Sequence, residues 1–369
     1  MTLISRLAIL TVGVSTVLSF CISALAAENP SPEDHNHKKI RTRHAEPHSR
    51  YLIQFPQQEL KRKTETKESD QPEEDSPVAP IYTKGGGFQP DKVISFKQIG
   101  ERELGLDIFY PEGWNANESR PAVLFFFGGG WINGDTLHFY PQAKYLASRG
   151  MVAICAEYRT ESSDGAKPPE CVEDAKSAMR FVRSNASTLG IDPDRIAAGG
   201  GSAGGHLAAA TATLDQYNCK DDDLSVSPVP NALLLFNPAC DNSEYGYGYD
   251  RVSEYWQSFS PMENLDRKVP PSIIFLGDED SVFPLDRAKI YKQRMIAGGN
   301  RCELLIYPRQ RHGFFRLDRK TQDSDPNANR RYFLATAEAM DRFLISLGFL
   351  SAEPTVKSWL SNLEAQPAK

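Results

Sequence analysis

From residue 106 to residue 307 the chain repeats one unit: a short apolar run, a turn, then a longer stretch whose apolar residues recur every three or four positions. The runs at 122–127, 152–156, 195–198, 232–236, 272–276 and 302–307 are too evenly apolar for strands with one wet face. They predict strands buried on both sides, as in a parallel sheet. A run at 106–110 predicts an early edge strand. Helical spacing fills 141–149, 170–186, 206–214 and 284–297; in the second of these, Val172, Ala175, Ala178, Met179 and Val182 form one stripe with charges opposite, which is core packing. Strands alternating with crossover helices predict an α/β fold with a mostly parallel central sheet flanked by helices. Such sheets bind ligands where loops leave the carboxyl ends of their strands.

The ends lack this pattern. Residues 1–27 carry Arg6, an apolar run over 7–22 and then Ala24, Ala26 and Ala27, the form of a secretory signal peptide. The expected location is therefore secreted or periplasmic, without stable membrane insertion after cleavage. An uncleaved anchor is one alternative, but the run is shorter than the roughly 20 residues a spanning helix needs; a lipidated Cys21 is another, disfavoured by the bulk of Phe20 before it. Residues 28–80, rich in Glu, Lys, Pro, Ser and Gln and poor in aliphatics, predict a disordered tether. Its His35, His37, His44 and His48 are irregularly spaced in a charged tail, so no metal is assigned to them. Residues 81–350 are expected to form a single catalytic domain and 351–369 a short polar tail.

A net charge of −6, with no basic run interleaved with aromatics in the domain, points away from nucleic acid and toward small or neutral partners. The oligomeric state is encoded in none of these patterns. Cys155, Cys171, Cys219, Cys240 and Cys302 are odd in number and lack CxxC spacing, which disfavours a metal cluster and leaves any disulfide pairing open.

Directly after the run at 195–198 comes Gly199-Gly200-Gly201-Ser202-Ala203-Gly204-Gly205-His206. It contains Gly-x-Ser-x-Gly between a strand and a helix, where a serine sits on a sharp turn and glycines let neighbouring backbone approach. The same glycines fit a dinucleotide fingerprint. That rival wants the motif early in its domain and an acidic residue closing the next strand, whereas Asp221, Asp222 and Asp223 lie in a polar run. Ser202 is the candidate nucleophile.

A serine hydroxyl needs a base, itself oriented by a third group. Of the domain's histidines, His206 is one turn along the helix and expected to pack beside the sheet, and His138 follows a glycine-rich loop. His312 lies just after the final strand, where it can fold back over the serine, and is the candidate base. Asp278, Glu279 and Asp280 compete for the acid; Asp280, before Val282-Phe283-Pro284, is favoured, with a helix-capping or turn role as its alternative. Gly129 with Gly128 or Gly130, in the loop after the strand at 122–127, together with the N–H of Ala203, are the expected oxyanion-hole donors.

These residues resemble the esterase and lipase group of α/β-hydrolases, including hormone-sensitive-lipase-like enzymes and feruloyl and acetyl-xylan esterase-like bacterial proteins. The resemblance rests on Gly128-Gly-Gly-Trp131, Glu157-Tyr-Arg159, 190–196, 200–206, Gly277-x-x-Asp280 and His312-Gly-Phe314, and spans about 106–350. It implies the α/β-hydrolase fold, the chain order Ser202, Asp280, His312, no cofactor and no metal. One departure stands out: Phe127 occupies the position where many relatives carry the histidine of His-Gly-Gly-Gly, which puts the loop's geometry in question.

The stretch 241–259, with Tyr245, Tyr247, Tyr249, Tyr255, Trp256 and Phe259, is a candidate wall of the substrate site. Trp131, Tyr245 and Trp256 are its named candidates, and a packed surface loop is the alternative. The expected function is carboxylic-ester hydrolysis through an acyl-enzyme on a short-acyl or feruloyl ester, free or carbohydrate-linked. The alternatives are a serine peptidase of the same fold and a catalytically silent carbohydrate-binding protein.

Overall fold

The computed structural model describes residues 80–319, 325 and 327–365; the expected signal peptide and all but the last residue of the expected tether lie outside them. Eight strands form one sheet: β1 (Lys92–Ile99), β2 (Arg102–Phe109), β3 (Arg120–Phe126), β4 (Val152–Ala156), β5 (Ile191–Gly201), β6 (Ala232–Phe236), β7 (Ser272–Gly277) and β8 (Cys302–Tyr307), in the order β1-β2-β4-β3-β5-β6-β7-β8. The first two pairings, β1 with β2 and β2 with β4, are antiparallel and the other five parallel. The strand before Ser202, β5, lies between β3 and β6, so both neighbouring strand ends supply loops to it.

The helices are α1 (Tyr140–Ser148), α2 (Glu161–Asp164), α3 (Pro168–Ser184), α4 (Ala203–Thr213), α5 (Tyr249–Val252), α6 (Trp256–Phe259), α7 (Leu285–Ala297), α8 (Ala328–Ser346) and α9 (Val356–Glu364). Alternate residues of each strand face opposite cores, as a pleated sheet requires. Leu124, Ile154, Ala198, Leu235 and Ile274 pack with α3, α4 and α7. Val123, Ala153, Ala197, Leu234 and Ile273 pack with α1, α8 and α9. Both faces of the central strands are covered, which is why they read as unbroken apolar runs; β8, expected to be buried on both sides, is an edge of the sheet instead, with Cys302 buried and Ile306 42% exposed.

Two further expectations are corrected. The run at 106–110 belongs to β2, which is second in the sheet; the edge strand on that side is β1. Most of β1 is at least partly exposed, Val93 at 61%, so hydrophobicity hardly marks it. It is held by Phe96 against Phe181 and by Lys97, which donates to Asp174 at 2.7 Å. The expected polar tail contains α9. Its Val356, Trp359, Leu360 and Leu363 recur at helical spacing, with Leu360 fully buried and Trp359 packed on Tyr145.

Among the described residues no helix is long and apolar enough to cross a membrane, no group of side chains forms a metal site, and the five cysteines are unpaired.

Candidate active site

Ser202 occupies the one-residue junction between β5 and α4, with φ 55° and ψ −121°, a conformation a side-chain-bearing residue holds only when its surroundings over-determine it. They do: its N–H donates to the Phe236 carbonyl at 3.0 Å, and its carbonyl accepts from Ala239 and His206 N–H, each at 3.0 Å. The helix that follows sits close against the sheet because its residues are small. At Gly204 a Cβ would lie 2.1 Å from the Phe126 carbonyl oxygen, so only glycine fits. Ser202 is half-buried, and among the described residues its hydroxyl makes no hydrogen bond.

Asp280 and His312 are brought together from the loops after β7 and β8. The imidazole Nδ1 lies 2.8 Å and 3.1 Å from the two carboxylate oxygens. Asp280 is 4% exposed and also accepts the N–H groups of Val282 at 2.8 Å and Phe283 at 3.1 Å. The capping role and the orienting role are therefore filled by the same carboxylate. Its competitors turn elsewhere: Asp278 accepts the Arg309 N–H, and Glu279 pairs with Arg311 at 3.5 Å. Since a carboxylate can only accept, Nδ1 carries a proton, and in the neutral imidazole it is Nε2 that presents its lone pair. That nitrogen faces the Asn237 side-chain amide at 3.3 Å.

Of the two other histidines of the domain, His206 is fully buried and His138 half-buried. His206 bonds the Phe259 carbonyl through Nε2 at 3.0 Å, and burial lowers its pKa to about 3. It packs beside the sheet, against Trp131 and Phe259. His138 lies in a short 3-10 turn, Thr136–Phe139. Its Nδ1 accepts the Gly128 N–H at 2.9 Å, and burial first, then the charge of Arg316, holds its pKa well below the ordinary value.

That bond bears on the choice between Gly128 and Gly130 as the partner of Gly129. The N–H of Gly128 is already committed to His138, whereas those of Gly129, Gly130 and Ala203 have no acceptor among the described residues. Gly129 (φ 142°) is required where it stands, since a Cβ there would lie 1.8 Å from the Asn133 carbonyl oxygen. Phe127 replaces a polar tether with packing: its ring stacks on Tyr158 at 4.0 Å, and the Tyr158 hydroxyl donates to the Phe127 carbonyl at 2.8 Å. On the other side, Arg251 of α5 donates to the Gly130 carbonyl and, at 2.8 Å, to Glu161, while its guanidinium lies 5.7 Å from the Trp131 ring.

The aromatic candidates separate. Trp131 is fully buried and packs on His206, Tyr247 and Phe259, so it is core and not pocket lining. Tyr245 is 67% exposed, with Arg287 over its ring at 5.6 Å. Trp256 is half-buried and meets Tyr249 edge-on at 6.5 Å. The aromatic that reaches the glycine loop is Tyr247, whose hydroxyl occupies the space where a Gly130 Cβ would project. Nothing in the composition of 241–259 distinguishes it from its neighbours; Asn237 and Arg251 were equally unmarked as partners of the site.

An eight-stranded sheet in this order, with a strained serine at the turn after β5 and a carboxylate-held histidine after the last strand, defines an α/β-hydrolase. A family model described as BD-FAE matches residues 106–231, and that of the dienelactone hydrolase family matches 243–344. Esterase 2 of Thermogutta terrifontis, in its propionate-bound structure, is 38% identical with a TM-score of 0.65, over 71% of this chain and 96% of that one. Esterase LipC of Mycobacterium tuberculosis is 28% identical over 219 residues, 54% of each chain. The acetylxylan esterase of Xylanibacter ruminicola is 28% identical over 246 residues, 61% of this chain and 47% of that protein. The chain spans about half the length of these two curated relatives. It belongs to the esterase family of the α/β-hydrolase fold.

Proposed function

We propose that the protein hydrolyses carboxylic esters through an acyl-enzyme, with Ser202 as nucleophile, His312 as general base and then general acid, and Asp280 as the group that orients it. The observation that carries this reading is the Asp280–His312 pair at 2.8 Å beside a serine held at positive φ. His312 Nε2 takes the serine proton as Oγ attacks the ester carbonyl. The tetrahedral oxyanion is received by the free N–H groups of Gly129, Gly130 and Ala203, and Nε2 returns the proton to the departing alcohol. Water repeats the sequence to release the acid. A serine–histidine hydrogen bond that is open in the unliganded enzyme closes when substrate binds.

The acyl group is short. Thermogutta terrifontis esterase 2 has been solved with propionate and with butyrate bound, which supports a small acyl pocket here. The acetylxylan esterase relative and the aromatic residues of 241–259 support an alcohol moiety that is carbohydrate-linked. The expected signal peptide supports export to where such polymers lie.

The test is p-nitrophenol release from acetate, butyrate and octanoate esters, set against acetate release from acetylated xylan. Turnover that declines from butyrate to octanoate supports the short-acyl reading. A preference for octanoate contradicts it.

A further inference from the structure

Asn237 follows β6 directly and is 1% exposed, yet adopts φ 35°. A buried asparagine costs free energy unless its amide is satisfied, and both ends of this amide are spent on the His312 loop. Oδ1 accepts the Gly313 N–H at 3.1 Å, and Nδ2 lies 3.3 Å from His312 Nε2. The orientation is forced. Gly313 N–H can only donate, so the oxygen must face it and the NH2 group must face the imidazole. Asp280 keeps the proton on Nδ1, so Nε2 accepts, and the two assignments agree. The backbone around Asn237 is bound to the serine turn, Phe236 accepting the Ser202 N–H and Ala239 donating to the Ser202 carbonyl, each at 3.0 Å. One residue thus joins nucleophile turn and base loop, whose order in the chain is otherwise far apart.

We propose that Asn237 is a positioning residue, holding the His312 ring and the backbone of its loop in register with Ser202 and keeping Nε2 unprotonated and directed at the serine turn until substrate arrives. The inference rests on the ester-hydrolase reading above. Its amide can donate to the neutral ring but cannot accept from a protonated one, so the contact opens once Nε2 takes the serine proton. Besides Asp280, His138 feels the charge of this imidazole, Arg316 and Arg319 act on His138 as well, and the Arg319 guanidinium lies against Gly313, where it would meet a Cβ at 2.3 Å.

The test uses the full chain with Asn237→Gly, which tolerates the positive φ, and Asn237→Asp, which keeps the acceptor for Gly313 but puts a carboxylate beside Nε2. With thermal unfolding showing both folded, kcat for p-nitrophenyl butyrate is expected to fall about 10²-fold in Asn237→Gly with KM nearly unchanged, since a misplaced reacting group costs rate. In Asn237→Asp the acid limb of the pH–kcat profile is expected to move up by about one pH unit or more, because an adjacent carboxylate favours imidazolium. The ¹⁵N shift of His312 Nε2, read without substrate, is expected to change in both. Wild-type turnover with unmoved kcat, pH limb and ¹⁵N shift in the variants overturns the inference, as does a lowered kcat with an unmoved limb and shift. Changed ¹⁵N shifts without wild-type turnover would leave the contact standing and overturn the ester-hydrolase reading.

Discussion

The two sides of the site are built by different means. The nucleophile side is local: seven consecutive residues carry the turn, its glycines and the start of α4, and the strain at Ser202 is held by bonds from the adjacent strand. The oxyanion side is assembled from afar. Its loop, Phe127 with the three glycines, is braced by His138 from the following turn, Tyr158 after β4, and Arg251 and Tyr247 from the segment after β6. A turn that needs only its own residues leaves a motif in the sequence. A loop that needs four distant partners leaves only its glycines.

Substitutions on each side should therefore differ in kind. On the nucleophile side, Ser202→Ala and His312→Ala are each expected to lower kcat for short-chain esters by about a thousandfold or more, and the double variant hardly further, because members of such a unit do not act additively. Additive losses would break the unit. On the oxyanion side, His138→Phe keeps the aromatic packing but removes the acceptor for Gly128 N–H; a loss in kcat of about 10²-fold at most is expected from loop misplacement, with KM little changed. Steady-state kinetics with p-nitrophenyl butyrate checks both.

Arg251→Ala should matter less, since its bond to the Gly130 carbonyl is one of several braces. A loss of ~1 kcal/mol, the net worth of one hydrogen bond, corresponds to about fivefold in rate. An unchanged rate would assign the loop's order to His138 and Tyr158 alone.

The remaining effect concerns the pH dependence of stability and leaves the rate aside. His206 is neutral in the folded protein, its pKa lowered to about 3 by burial, and His138 is lowered for the same reason; unfolded, both bind a proton near pH 6.5. The unfolded state then holds more protons below that pH, so stability is fully present above it and declines as pH falls toward the folded values, by ~1.4 kcal/mol per pH unit for each histidine. Denaturant midpoints between pH 6.5 and 5 should show this slope, and His206→Gln should lessen it. An unchanged slope would mean that His206 is protonated in the folded state.

The fold was legible to the extent that strands bury both faces. β3 to β7 announce themselves as apolar runs, β8 reads as one although it lies at an edge with most of its residues partly exposed, and β1, largely wet, reads like a loop. Helix α9 escaped notice because four apolar residues carry its contact in an otherwise polar segment. In the site, His312 and Asp280 are legible because the parallel sheet fixes where the loops after its last two strands must lie. Gly128 misleads because its N–H, identical in sequence terms to those of Gly129 and Gly130, is taken by a histidine ten residues on. Trp131, beside the glycines in sequence, turns inward at φ 61° and is core. Asn237 gives no signal at all, since a single asparagine before proline looks like any turn.

The central claim is that Ser202 is an activated nucleophile, and covalent trapping tests it most directly. Thermogutta terrifontis esterase 2 has been solved phosphorylated by paraoxon, a reagent in which a serine oxygen displaces p-nitrophenolate from phosphorus. Incubation of this protein with paraoxon, followed by intact and peptide mass spectrometry, is expected to show one diethylphosphoryl group per chain on the peptide containing Ser202, and none in Ser202→Ala. Labelling elsewhere, or no labelling of the folded protein, would contradict the claim.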